Sequence, residues 1–271
     1  MSQPARGGRE GQAFYDEVWR KYAHLDAVSP AAFHRRRLVA RWIGALAPAP
    51  TSVLDVGCGQ GDLLKELAAR VPEAHLFGAD LSEQSLEDTR RKHPNADVFR
   101  LDLADPEFDR LHEERRDQFD VIVCCEVLEH LEDDRLGVRR LKSLLAPGGH
   151  LAVSVPGGKM SRYDVIIGHQ RHYRSHELAN LLTSAGLDVR KVMAWGFPFH
   201  NLYRSAVRVA SRLSFQGPQN DQARLGNGGV IGPALATAYT LFGRAMTPLY
   251  YLNASHFGEQ MLALVQKPRQ P

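Results

Sequence analysis

Apolar residues along the chain follow two alternating rhythms: short runs of strand length, and longer stretches with helical spacing. Val53, Leu54 and Val56 form the first run, of the kind buried in the middle of a parallel sheet. Comparable runs cover 75–82, 97–101, 119–125, 151–155, 187–195 and 260–266. Between them, Leu63, Leu64, Leu67 and Ala68 recur at helical spacing until Val71-Pro72 stops the helix. Ser82 is placed to cap a helix ending near His93-Pro94, and a helix from Asp133 carries Leu136, Leu141, Leu144 and Leu145. Ser175 is read as the cap of a helix bearing Leu178, Leu181, Leu182 and Ala185, which Gly186 terminates. Ahead of the first strand, residues 14–27 and 31–46 read as helices, the second opened by Ser29-Pro30 and closed by Pro48-Ala49-Pro50. Ala146-Pro147-Gly148-Gly149 is expected to turn the chain into the fifth strand. Strand and helix alternate five times, which predicts right-handed βαβ crossovers and an α/β fold on a parallel sheet.

The first strand runs into Asp55-Val56-Gly57-Cys58-Gly59-Gln60-Gly61-Asp62. Glycines here permit positive φ and let a ligand approach the backbone without a Cβ between them. A dinucleotide site needs G-x-G-x-x-G, so that the last glycine packs helix on strand beneath a pyrophosphate. The sixth position is Asp62, and the third glycine comes one residue early at Gly61. Asp55 adds a carboxylate near where a diphosphate would lie, so the turn suits a cationic ligand without phosphate and disfavours a nicotinamide-dependent oxidoreductase.

Further acids fall at strand ends. Asp80 stands a little over twenty residues past the glycines, where such folds place a carboxylate on ribose hydroxyls. Asp102, before Leu103, either reaches an adenine amino group or serves as a turn residue. Glu126, Glu129 and His130 are spaced i, i+3, i+4 and would share a face if their segment were helical. His169 and His172 lie on a polar loop after the fifth strand, at the carboxyl edge where α/β ligands bind. A histidine titrating near neutrality suits proton abstraction, so His169, or His172 in its place, either serves as a general base or orders the loop.

At 271 residues, 44% of them hydrophobic, the chain can bury one domain with an insertion. The net charge of +3 comes with arginines in scattered pairs and one triplet, without the aromatic-interleaved basic stripe of a nucleic-acid binder. Three cysteines, two of them adjacent, make neither a disulfide framework nor a zinc spacing, so a reducing, cytoplasmic setting is expected. The expected divisions are a disordered leader over 1–12, a helical lid over 13–50, a cofactor-binding core over 51–195, a helical insertion over 196–257, and a final strand and tail over 258–271. Phe14, Tyr15, Val18, Trp19 and Tyr22 either pack on the domain or cover the ligand, with Tyr15 or Tyr22 offering a hydroxyl. The insertion is a poor membrane span, since Pro233, Arg244 and Pro248 interrupt its apolar stretch 231–252. It covers the substrate side, mediates homodimer contact or simply packs on the domain, and its aromatic character suits a hydrophobic or lipid-like acceptor or docking at a membrane surface.

The motif set Leu54 to Gly61, Asp80, Asp102, Glu126-Val127-Leu128-Glu129-His130-Leu131 and Leu145-Ala146-Pro147-Gly148-Gly149 resembles class I S-adenosylmethionine (SAM) methyltransferases. Within them it is similar to ubiquinone-biosynthesis-type O-methyltransferases carrying an E-x-x-E-H signature. The resemblance implies a Rossmann-like, mostly parallel seven-stranded sheet with helices on both faces, its last strand antiparallel. It also implies that Gly57 and Gly59 meet the amino acid part of SAM, with Asp55 near its ammonium and Glu126 near its methionine part. Asp80 and Leu81 would then hold the ribose, and Asp102 and Leu103 the adenine. The product would be S-adenosylhomocysteine (SAH), and the acceptor a small molecule methylated on oxygen, with lipid-linked or sugar acceptors and a non-catalytic SAM-binding protein as alternatives. Some relatives, small-RNA methyltransferases among them, hold a divalent cation such as Mg²⁺ on this signature and a later histidine. The equivalent set here is Glu126, Glu129, His130 and His169.

Overall fold

The computed structural model describes residues 11–17, 29–214, 248–250, 252 and 257–269. Seven strands form one sheet: β1 Ser52–Val56, β2 His75–Asp80, β3 Asp97–Arg100, β4 Phe119–Cys125, β5 Leu145–Pro156, β6 Asp188–Trp195 and β7 Gln260–Gln266. Their order is β3-β2-β1-β4-β5-β7-β6. β7 is antiparallel to both β5 and β6, and the remaining neighbours pair in parallel. The helices are α1 (11–17), α2 Pro30–Gly44, α3 Asp62–Ala68, α4 Glu83–Lys92, α5 Phe108–Leu111, α6 Asp134–Leu144, α7 Arg162–Ile166, α8 Ser175–Ser184 and α9 Phe199–Ser214.

The strands are apolar on both faces because both faces are covered. Leu54 and Val56 of β1, Ile122 and Cys124 of β4, and Leu151, Val153 and Val155 of β5 point to one core with Val138 and Leu141 of α6 and Leu178 and Leu182 of α8. The alternating residues Val53, Val121, Val123 and Ala152 point to the other, with Val39 and Ile43 of α2 and Leu64 and Leu67 of α3. Each such side chain contributes about 1.5–3 kcal/mol of burial, which offsets the entropy of ordering two helical layers. Local signals set the helix starts. Ser82 Oγ accepts from Ser85 N at 3.2 Å, and Asp133 Oδ1 accepts from Leu136 N at 2.8 Å. Ser29 caps α2 in front of Pro30.

Three local expectations need revision. Ala146-Pro147-Gly148-Gly149 does not precede β5 but lies inside it, as a wide bulge between the pairs Phe119–Leu145 and Val121–His150. Gly148, at φ +82°, makes the bend there and donates to Lys267 O at 3.0 Å. Ser175 is the first helical residue of α8 rather than its cap, and Glu177 instead accepts the Arg174 N–H at 2.8 Å. The E-x-x-E-H segment is not a helix. Only Leu128–His130 makes a single 3₁₀ turn, and Glu126 before it is left-handed at φ +57°.

Among the described residues no helix is long and apolar enough to cross a membrane. The expected leader falls outside the described residues except at 11 and 12. The first predicted helix is described only through residue 17, and the apolar stretch 231–252 only at 248–250 and 252.

Candidate active site

The strand order reverses between β1 and β4, and the crevice beyond their carboxyl ends is where open α/β sheets bind ligands. The glycine turn leaves β1 here with Gly57 at φ +74°, Gly59 at +54° and Gly61 at +77°. Gly57 N and Cys58 N both donate to Ala79 O of β2, at 2.8 and 3.0 Å, which holds the turn flat against the sheet edge. A Cβ on Gly57 would stand 2.4 Å from Val127 Cγ2, so no side chain fits between the turn and the segment after β4.

Two carboxyl groups face this turn from below. Asp80, at the end of β2, accepts Gly59 N at Oδ2 and Ser82 N at Oδ1, both at 2.9 Å. Asp55, 2% exposed, has its carboxyl pushed up to about 7 by burial and then by Asp80, against the opposing pull of Arg35 and Arg36. Burial also raises Asp80. A pair of buried acids with raised affinity for protons is a site that a cationic group would relieve. Asp102 is buried and accepts Ala104 N at 2.8 Å, the turn geometry that was one of the two expectations for it. Leu103 is buried beside it, with its carbonyl accepting from Arg140 Nη1 at 2.7 Å, and Leu81 is partly exposed at the β2 edge.

On the β4 side the signature acids separate. Glu126 accepts Ser154 Oγ at 3.0 Å and faces Arg35 Nη1 of α2 at 3.6 Å. Glu129 turns inward, fully buried, with both carboxylate oxygens lacking hydrogen-bond partners, as does His130 Nδ1. Burial, and then the Glu126 charge, raises the Glu129 carboxyl well above the usual range. Burial pushes His130 down to about 4, and burial with His130 pushes His169 down to about 2. Ligating atoms of Glu129, His130 and His169 all lie within 4.8 Å of one another. The structure thus brings three of the four expected cation ligands together and leaves Glu126 in a separate pair with Arg35. Orphaned carboxylate oxygens beside neutral imidazoles fit a divalent ion, and two nitrogens with one carboxylate suit a transition metal better than Mg²⁺.

The histidine loop is tied to this turn along its length. Gln170 N donates to Glu129 O at 2.7 Å, Arg171 Nη2 to Glu132 O at 2.7 Å, and Tyr173 OH to Asp134 Oδ2 at 2.8 Å. His169 Nδ1 lies 3.0 Å from His172 Nε2, and the two rings meet at 62°. Beneath them, buried Asp164 takes a bidentate pair from Arg204 of α9, both bonds 2.9 Å, and closes a capping box with Ser161. Burial would raise Asp164, but the Arg204 hydrogen bonds and charge outweigh it and hold the carboxyl low. From above, α1 reaches both halves of the crevice. Asp16 Oδ1 accepts Ser82 Oγ at 2.5 Å, and the Tyr15 ring meets His130 edge-on at 5.5 Å.

Arg35, Asp164, Arg204 and Gly158 were not singled out from the sequence. Ser161-x-x-Asp164 has the spacing of a capping box and was legible as one. The partners of Arg35 and Arg204 are 91 and 40 residues away, and no local pattern points to either.

Comparison with known proteins bears on this arrangement. A family model described as a methyltransferase domain matches residues 32–192, more than half of the chain. A ubiquinone biosynthesis O-methyltransferase of Xanthomonas axonopodis pv. citri (strain 306) is 31% identical over 182 residues, covering 62% of this chain and 74% of that protein. The enzyme of the same name from Acinetobacter baumannii (strain AYE) is 30% identical over 155 residues, 52% of this chain, and the match spans only 65% of its length. Among solved structures, the [4+2]-cyclase SpnF superposes with a TM-score of 0.63 at 18% identity, covering 99% of each chain. Haemonchus contortus phosphoethanolamine N-methyltransferase 2, in complex with SAM, gives 0.57 at 16% identity over 89% of this chain and 54% of its own. At such identity the structural likenesses speak for the fold, whereas the match over 32–192 assigns the lineage: the chain belongs to the methyltransferase-domain family, on the class I Rossmann-like fold.

Proposed function

We propose that this chain transfers the methyl group of SAM to a hydroxyl oxygen of a small-molecule acceptor, with His169 removing the acceptor's proton. The observation that carries the reading is a crevice whose glycine turn and paired acids suit a cationic, phosphate-free cofactor, with the His169 ring on the loop after β5. Burial keeps that ring unprotonated but, against the near-neutral titration expected of it, makes it a weak base. The sulfonium already activates the methyl group, so the protein's work is to align acceptor, methyl and sulfur and exclude water. In this reading Gly57 and Gly59 meet the amino acid part of SAM, Asp55 its ammonium, Asp80 and Leu81 the ribose, and Asp102 and Leu103 the adenine. In the same reading Arg35, which faces Glu126 at 3.6 Å, would take the cofactor's carboxylate. Relatives named as O-methyltransferases support oxygen as the methylated atom.

A second reading of the histidine site rests on the orphaned oxygens of Glu129. Glu129, His130 and His169 would hold a divalent cation, which would supply Lewis acidity at the acceptor oxygen.

The test is calorimetric titration with SAH, and separately NADH, with and without EDTA. Micromolar SAH binding, lost in Asp80→Ala and retained in His169→Ala, is expected. Product formation from SAM across a panel of phenolic and aliphatic alcohols then separates an enzyme from a SAM-binding protein that transfers nothing. Binding of NADH instead would overturn the cofactor assignment.

A further inference from the structure

The hydrogen bond between His169 and His172 has a direction that its surroundings decide. His169 Nδ1 and His172 Nε2 are 3.0 Å apart, so one carries the proton and the other the lone pair. The other ring nitrogen of His172, Nδ1, lies 3.3 Å from the carbonyl oxygen of Gly158. A carbonyl only accepts, so His172 Nδ1 carries a proton. A neutral imidazole has one N–H, which leaves His172 Nε2 as an acceptor. The proton between the rings therefore sits on His169 Nδ1, and the lone pair of His169 is at Nε2.

Two alternatives fail on neighbouring groups. A proton on His172 Nε2 could be drawn by Asp164, but Asp164 Oδ2 stands 3.8 Å away. That oxygen already accepts Ser161 N at 2.6 Å, Ser161 Oγ at 2.8 Å and Arg204 Nη2 at 2.9 Å. Doubly protonated His172 would add a second cation to an Asp164 carboxylate that Arg204 already holds in a bidentate pair, in a pocket where the His172 side chain is 3% exposed. The Gly158 carbonyl is itself fixed. Gly157 N donates to Glu259 O at 2.8 Å, and Gly158 sits at φ +71° where a Cβ would meet the Glu259 carboxyl at 2.6 Å. Arg208 locks that glutamate with bonds of 2.6 and 2.9 Å.

We propose that His172 is a positioning residue rather than a second base: through the Gly158 carbonyl it fixes His169 in the Nδ1–H form and keeps the Nε2 lone pair of His169 for its task. Asp164, His169 and His172 also have ligating atoms within 4.8 Å of one another, but an ion there would have to replace these contacts. His172 Nε2 is committed to His169 and Asp164 to Arg204. The proposal rests on the reading that His169 works at the site, whether on an acceptor proton or a cation. It concerns only the tautomer that makes either task available.

Long-range ¹H–¹⁵N correlation spectra of the full chain, labelled at histidine, report the tautomer of each ring directly. Resonances are assigned by the loss of one set in His169→Gln and in His172→Gln. At neutral pH, His169 and His172 of the wild type are expected as Nδ1–H tautomers. His172→Gln, whose amide oxygen can take the place of Nε2, should retain the His169 Nδ1–H form. His172→Phe, which cannot accept, should lose it, while SAH affinity stays within about twofold of wild type. A wild-type His169 bearing its proton on Nε2, or one whose tautomer is indifferent to Phe at 172, would overturn the proposal. The wild-type and Gln spectra decide it even if the Phe variant does not fold. Full turnover in His169→Ala would end the base reading and leave the tautomer result standing, so the two failures are distinct.

Discussion

Asp55 occupies the position where a buried acid is most exposed to its own electrostatics. Its carboxyl is pushed from an ordinary 3.8 up to about 7, by burial first and then by Asp80. A folded-state value above the unfolded one means that the native chain holds the proton more tightly. The stabilising contribution is complete below pH 4 and is lost as pH rises from about 4 to 7. Asp55→Asn carries no such proton, so the ligand-free variant should gain on wild type by about 2 kcal/mol between pH 5 and pH 7.5, read from denaturant midpoints. A difference between the two proteins that is the same at both pH values would show that Asp55 does not titrate there. This residue was legible in the sequence because strand, turn and acid are contiguous. Glu126 offered only a conditional reading, for the converse reason. Its i, i+3, i+4 relation to Glu129 and His130 favours a helix, but Glu126 is left-handed, donates its N–H to Ser154 O at 2.8 Å, and so turns the chain out of β4.

At the scale of elements, α7 and α9 share an ion pair that is almost wholly out of water. Asp164 is 1% exposed and Arg204 11%. Removing one partner of such a pair leaves an uncompensated charge, typically at a cost of about 3–5 kcal/mol. Arg204→Met should therefore lower the unfolding midpoint sharply, and Arg204→Met with Asp164→Asn should recover much of the loss. Additive losses in the double variant would deny the coupling. The strands and most helix limits followed from apolar period and capping chemistry. The clamp did not, because its two halves are 40 residues apart, and Asp164 reads locally only as a capping-box acid and Arg204 as an ordinary surface charge. The same holds for Gln170 on Glu129 and Arg171 on Glu132. These contacts set the geometry of the histidine site, and only the fold brings them together.

For the whole molecule, the sheet order and the crevice it opens follow from the alternation of strand and helix, which is why the cofactor side was readable and the acceptor side was not. In the proposed reading the acceptor side would be made by the histidine loop, α9 and the short segment 248–250, where buried Tyr250 lies near His200. Above the crevice, α1 touches Ser82 with Asp16 and His130 with Tyr15. One short helix therefore rests at once on the end of β2 and on the histidine cluster. Under the proposed function, exchange of SAH for SAM and departure of product would both displace it. The two releases then share a step and should slow or quicken together. Asp16→Ala, which removes the grip on the cofactor half, should accelerate SAH dissociation in stopped-flow chase experiments several-fold more than it weakens equilibrium affinity. An unchanged dissociation rate would mean that the cofactor leaves without disturbing α1.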